Sequence, residues 1–159
     1  MDVAIAVQSF HWFTNRSALE EIHRVLVPNG SFGLMWNLLD VSIPWEKDLF
    51  DFLRLLDEKH SLVFPHFGNW KEVFSLLSQH LFSTPEECNS FEHCLQASSF
   101  DQAYQHFASY SIIAGGSESD KKAYHEFFTE LMQKHFKEKG ISFDGIRFKL
   151  YMYWCRKEI

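Results

Sequence analysis

The first forty residues restrict the fold more than any other part of the chain. Residues 3–10 are apolar and rich in β-branched side chains, with no charge after Asp2. A nearly continuous run of this kind suits a strand covered on both faces, as in a parallel sheet. In the next stretch Leu19, Ile22, Val25 and Leu26 share one helical face, Ser17 and Glu20 have capping-box spacing, and Pro28-Asn29-Gly30 ends the pattern. Residues 31–37 then form a second apolar run. Strand, helix and strand joined by short turns make a βαβ unit, which demands two parallel neighbouring strands with a right-handed crossover.

The rest of the chain supplies helices and two more strands. Pro44 suits a first helical position, followed by Trp45, Leu49, Phe52, Leu53 and Leu56 at helical spacing. His60 to Gly68 reads as an aromatic-rich loop, with Asn69 as cap of a helix carrying Trp70, Val73, Phe74 and Leu77. Residues 87–96 read as a strand, and Ser98 or Ser99 caps a short helix. A long helix is expected from about Glu118 to Lys139, acidic at its start, basic at its end, with Gly140 beyond. Ile146, Phe148, Leu150, Met152 and Trp154 alternate with the residues between them, the period of a strand.

Several function classes are excluded or disfavoured. The chain has 159 residues, enough for one domain, and its 17% aromatic content is incompatible with disorder. Fifteen basic residues against 21 acidic ones argue against a nucleic-acid partner. No apolar run is long enough to predict a transmembrane helix, and no membrane partner is expected. There is no Gly-x-Gly-x-x-Gly and no Walker loop. No metal site is expected: Cys88, His93 and Cys94 do not converge on one ion, and no His-Glu-x-x-His or Cys-x-x-Cys occurs. Cys155 has no identifiable His partner for nucleophilic chemistry. Three cysteines without disulfide spacing, and an N-terminus unlike a signal peptide, predict a cytoplasmic protein.

The most informative segment is Gln8-Ser9-Phe10-His11-Trp12-Phe13, a polar-aromatic cluster at the carboxyl end of the first strand. Ligands bind at that end of open α/β sheets. Trp36-Asn37-x-x-Asp40 closes the second strand at the same rim. Either these residues line a ligand pocket, or they staple strand to helix.

The run from Gln8 to Phe13, then Ala18-Leu19-x-Glu21-Ile22-x-Arg24-Val25-Leu26-x-Pro28-x-Gly30, Trp36-Asn37-x-x-Asp40, Pro44-Trp45, Asn69-Trp70-x-x-x-Phe74 and the closing strand together resemble class I S-adenosylmethionine-dependent methyltransferases, of the type 11, trans-aconitate-methyltransferase-like group. The resemblance implies an α/β fold: a partial Rossmann-like sheet in the order 4-5-7-6 with the last strand antiparallel. In it, residues 2–10, 31–37, 87–96 and 146–156 match strands 4, 5, 6 and 7. It implies a single domain over 1–159, with helical cap segments at about 41–84 and 98–140. S-adenosylmethionine is the implied cofactor, with Gln8, Ser9, Phe10 and Trp12 as its contacts, His11 as the catalytic candidate, and Trp36 and Asn37 facing a small-molecule acceptor.

The family's glycine-rich loop and the acidic residue that holds the ribose are absent from this sequence. The expectation is therefore an N-terminally truncated form that binds the cofactor weakly or not at all by itself. Its bare first strand invites self-association or a partner chain. The alternative reading is a non-catalytic interaction module that uses this edge.

Overall fold

The computed structural model describes residues 1–60, 70–77 and 81–158. Its elements run β1 (Val3–Val7), α1 (Arg16–Val25), β2 (Ser31–Leu39), α2 (Pro44–Lys59), α3 (Trp70–Glu72), β3 (Glu86–Leu95), α4 (Phe100–Ala108), α5 (Ser111–Ala114), α6 (Glu118–Met132) and β4 (Ile146–Arg156). The four strands form one sheet in the order β1-β2-β4-β3. β1 and β2 are parallel, with Val3 opposite Ser31 and Val7 opposite Met35. β4 runs the other way: Lys157 N–H donates to Gly30 O at 2.8 Å, while Tyr153 meets Trp36 further up β2. With β1 as strand 4, this is the order 4-5-7-6 with the last strand antiparallel.

The chain forms two compact units. The first comprises Met1–Leu38, Val63–Phe91 and Lys149–Ile159, and the second Leu39–Leu62 and Glu92–Phe148. The core of the first holds Phe10, Leu19, Phe32, Leu34, Trp36 and Phe74. The second is mostly helical, centred on Leu49, Leu53, Phe107, Tyr124 and Phe128. There Lys59 and His60 meet the buried Asp120 carboxylate, and the Asp120 and Ser117 side chains close a capping box on α6. Among the described residues, no helix is long and apolar enough to cross a membrane.

Four local expectations change. β1 ends at Val7, because Gln8 adopts φ 49 and breaks the extended backbone. β1 is also covered on one face only: Ala6 is buried, whereas Val3, Ile5 and Val7 are 53%, 63% and 53% exposed. The cap of α1 is Asn15, whose Oδ1 accepts from Ala18 N–H at 2.9 Å, and not Ser17. The long helix is α-helical to Met132 and finishes in a π turn, Gln133–Lys137, before Gly140 at φ 62. Ser99 is the cap of α4. The expected loop over 61–68 and the Asn69 cap lie outside the described residues.

Candidate functional site at the end of the first strand

The backbone after β1 turns sharply, and each side chain of the loop takes a different role. Gln8 N–H donates to Met35 O at 2.9 Å, extending the pairing with β2. Its Nε2 donates to Asn37 O at 2.8 Å and ties the two strand ends together. A left-handed glutamine costs energy, and two hydrogen bonds to β2 hold it there. Phe10–Trp12 form one 3-10 turn. Such a turn sends successive side chains about 120° apart, so neighbours point to different surroundings.

Phe10 points inward. It is fully buried and meets the rings of Phe13, Phe32 and Phe74 at 5.4, 5.5 and 5.7 Å. Trp12 points outward and is 55% exposed. Gln8 is exposed and Ser9 half-buried. His11 is buried, with its Nδ1 3.3 Å from Trp36 Nε1 and its ring 4.9 Å from Trp12. Burial lowers its pKa below the usual histidine value, since the charged ring loses water.

Trp36, on β2, is also buried. Its ring lies 4.8 Å from that of Trp70, which in turn lies 4.8 Å from Tyr153. Lys71 sits 4.5 Å over the Tyr153 ring, a cation–π contact. Burial pushes the Tyr153 phenol up to about 12. Asn37 is half-buried and offers its backbone oxygen to Gln8. The structure therefore brings Gln8, Ser9, His11, Trp12 and Asn37 to one end of the β1-β2 pair, and keeps Phe10 and Trp36 behind them as packing. Asp40, which the sequence grouped with Trp36 and Asn37, belongs to the second unit and accepts from Ser42 N–H at 3.0 Å.

The glycines decide how well an S-adenosyl cofactor would be held here. At Gly30 an added Cβ would meet Val27 O at 2.9 Å, and at Gly33 it would meet Ile5 Cγ1 at 3.6 Å. Close packing excludes a side chain at Gly30, whereas at Gly33 it would make only an ordinary contact, and the loop over 8–12 contains no glycine. The site thus offers side chains on one edge of a ligand, without the backbone cradle that a glycine-rich turn provides. Among the described residues, no group of three or more His, Cys, Asp or Glu is placed to hold a metal ion.

Sequence reasoning missed Glu46. It sits in the first turn of α2 with no exposed surface, accepts Arg147 N–H on Oε1 at 2.7 Å, and leaves Oε2 without a partner. Only its place as the third residue of a helix that starts at Pro44 hints at a capping duty, and that pattern does not report burial. The second unit also has a groove of about 740 Å³ beside α2 and α6, floored by Phe52, Leu55 and Phe127.

Relatives of this chain are methyltransferases by name. An uncharacterised methyltransferase-like protein of Schizosaccharomyces pombe is 32% identical over 132 residues, 82% of this chain and 48% of the relative. A second uncharacterised methyltransferase of that yeast is 37% identical over 94 residues, 55% of this chain and 36% of its own length. No family model matches. The chain spans about half the length of the first yeast relative and about a third of the second. Among solved structures, a protein described as a methyltransferase from Bacillus halodurans has a TM-score of 0.49 at 19% identity, covering 99% of this chain and 70% of that one. The YcgJ protein of Bacillus subtilis gives the same TM-score and identity, covering 100% of this chain and 64% of that one. The sheet order and the named homologues together give this chain a methyltransferase-like fold.

Proposed function

We propose that this methyltransferase-like chain carries the second half of an S-adenosylmethionine-dependent methyltransferase acting on a small molecule, and that it is inactive by itself. The supporting observation is the loop over 8–12 at the carboxyl end of a parallel strand, in a homologue of named methyltransferases. When bound, S-adenosylmethionine supplies a methyl group on a cationic sulfur. Gln8, Ser9 and Trp12 are the groups placed to contact it, and Phe10 anchors their turn from the core. Trp12 removes water from one side of the site, which favours a step in which the methyl passes to the acceptor and the cationic sulfonium leaves as a neutral thioether. His11 and Asn37 are the groups for the methyl acceptor, with Trp36 behind them. Free thiols at Cys88, Cys94 and Cys155 support a reducing, cytoplasmic setting.

The test is methyl transfer by the native protein as the cell makes it, beside this 159-residue chain, with intact mass measured on both. A longer native form that transfers methyl groups, and a 159-residue chain that does not, is the expected result. A native form of 18.8 kDa that transfers methyl groups unaided would overturn the claim of inactivity. A longer form that neither binds S-adenosylhomocysteine nor transfers methyl groups would overturn the enzyme reading.

A second reading rests on β1. It lies at the sheet edge, with Val3, Ile5 and Val7 exposed on one face. Uncharged, apolar edge strands pair with other chains. On this reading the chain is an interaction module that self-associates through β1 and has no catalytic role. A concentration-independent monomer in sedimentation velocity contradicts it.

A further inference from the structure

The buried contact between His11 and Trp36 fixes more than a ring orientation. An indole N–H donates and cannot accept. Trp36 Nε1 lies 3.3 Å from His11 Nδ1, so Nδ1 must present its lone pair to that proton. In a neutral imidazole the remaining proton then sits on Nε2. Placing it on Nδ1 would set two donors face to face and leave a buried indole N–H unpaired. A penalty of that kind biases a tautomer ratio about tenfold or more.

The other ring nitrogen is differently placed. His11 Nε2 has no hydrogen-bond partner among the described residues. Glu46 Oε2 is the one buried side-chain nitrogen or oxygen lacking a partner among them, so Nε2 reaches the surface. The ring therefore spans the wall of the site, one nitrogen held inside by Trp36 and one directed out. Burial also opposes a charge on the ring, and no ionised neighbour works against it.

We propose that Trp36 is a positioning residue that locks His11 as the Nε2–H tautomer, so that the ring offers the site a neutral hydrogen-bond donor and not a proton-accepting base. This reverses the role that a histidine at this rim first suggests. General-base catalysis needs a lone pair on the outward nitrogen, and here that nitrogen carries the hydrogen. Methyl transfer in this site would then run by positioning and desolvation, with the acceptor arriving already deprotonated or needing no base.

What His11 contacts rests on the methyl-transfer reading; the tautomer is measured in the free protein, so the two fail separately. The experiment is a long-range proton–nitrogen NMR spectrum of the full 159-residue chain with labelled histidine at neutral pH. The His11 signals are identified by their loss in His11→Gln. The expected pattern is a pyrrole-type Nε2 and a pyridine-type Nδ1, with the Trp36 indole proton protected from exchange. In Trp36→Phe the pattern is expected to relax about tenfold toward a mixture. Should that variant not fold, indole exchange in His11→Asn and His11→Ala serves instead: Asn keeps an acceptor near the Nδ1 position and retains protection, and Ala loses it. An Nδ1–H tautomer, a ring charged at neutral pH, or equal protection of Trp36 in His11→Ala would each overturn the proposal.

Discussion

Glu46 places a carboxyl where water does not reach, and its titration gives the molecule a pH signature. Burial raises its pKa to about 7 from an ordinary 4.5, with the nearby Asp40 charge adding to the rise, while the Arg147 and Asp40 N–H groups oppose it. A folded-state pKa above the unfolded value means that the native protein binds a proton that the unfolded chain releases. The resulting stability is complete below about pH 4.5 and is lost as pH rises toward 7. Its size is at most about 3 kcal/mol by the energy of a pKa shift. Burial moves Asp57 the same way, to about 6. Urea unfolding across this range is expected to show stability falling with pH in the wild type and falling less in Glu46→Gln; identical profiles would contradict the assignment. Gly145 has φ 120, and an added Cβ would lie 2.7 Å from Leu95 O and 2.8 Å from Cys94 Sγ. Gly145→Ala should therefore lose about 1–3 kcal/mol, read as a lower urea midpoint. Neither residue was legible in the sequence. A glutamate in a first helical turn is ordinarily solvated, and a glycine before a strand is ordinarily a plain turn.

Elements were easier to read than residues, because periodicity records burial along a whole face. β4 was read as a strand and is one, Ile146–Arg156, although burial alternates only at its start: Ile146 and Phe148 are buried, residues 149–154 are half-buried, and Cys155 is buried in place of Trp154. The end of α1 was equally plain, since Pro28 stops it and Asn29 adopts the left-handed φ of 62 that its turn requires. Its start was less so. Ser17 had capping spacing, but Asn15 precedes the first helical residue and takes the Ala18 N–H. Asn15→Ala is expected to cost about 1 kcal/mol, and Ser17→Ala less than about 0.5 kcal/mol, in paired unfolding experiments. β1 misled in another way. Its sequence describes a strand covered on both faces, and only one face is covered. Ile5→Lys tests that face directly: a side chain 63% exposed should tolerate the change within about 0.5 kcal/mol, whereas a covered one would not. The same variant should reduce any self-association through the edge.

At the scale of the molecule, a sheet order, a set of relatives and one loop belong together. The order β1-β2-β4-β3 and the βαβ opening were readable from apolar patterning and family resemblance together. The loop was readable as a place, since a polar-aromatic run follows an apolar strand. Its division into inward Phe10, outward Trp12 and wall-spanning His11 was not, because that depends on a 3-10 turn that no pattern announced. The two compact units were likewise hidden, since the chain passes between them four times without a change in composition. On the proposed function, Gln8, Ser9 and Trp12 face an S-adenosyl ligand and His11 lies beside them on the acceptor side. The most direct measurement is a backbone-amide NMR titration of the chain with S-adenosylhomocysteine, carried to high ligand concentration. Weak, fast-exchange shifts concentrated on residues 8–12 and on Asn37 are expected. Saturable shifts elsewhere with this loop unmoved would contradict this placement.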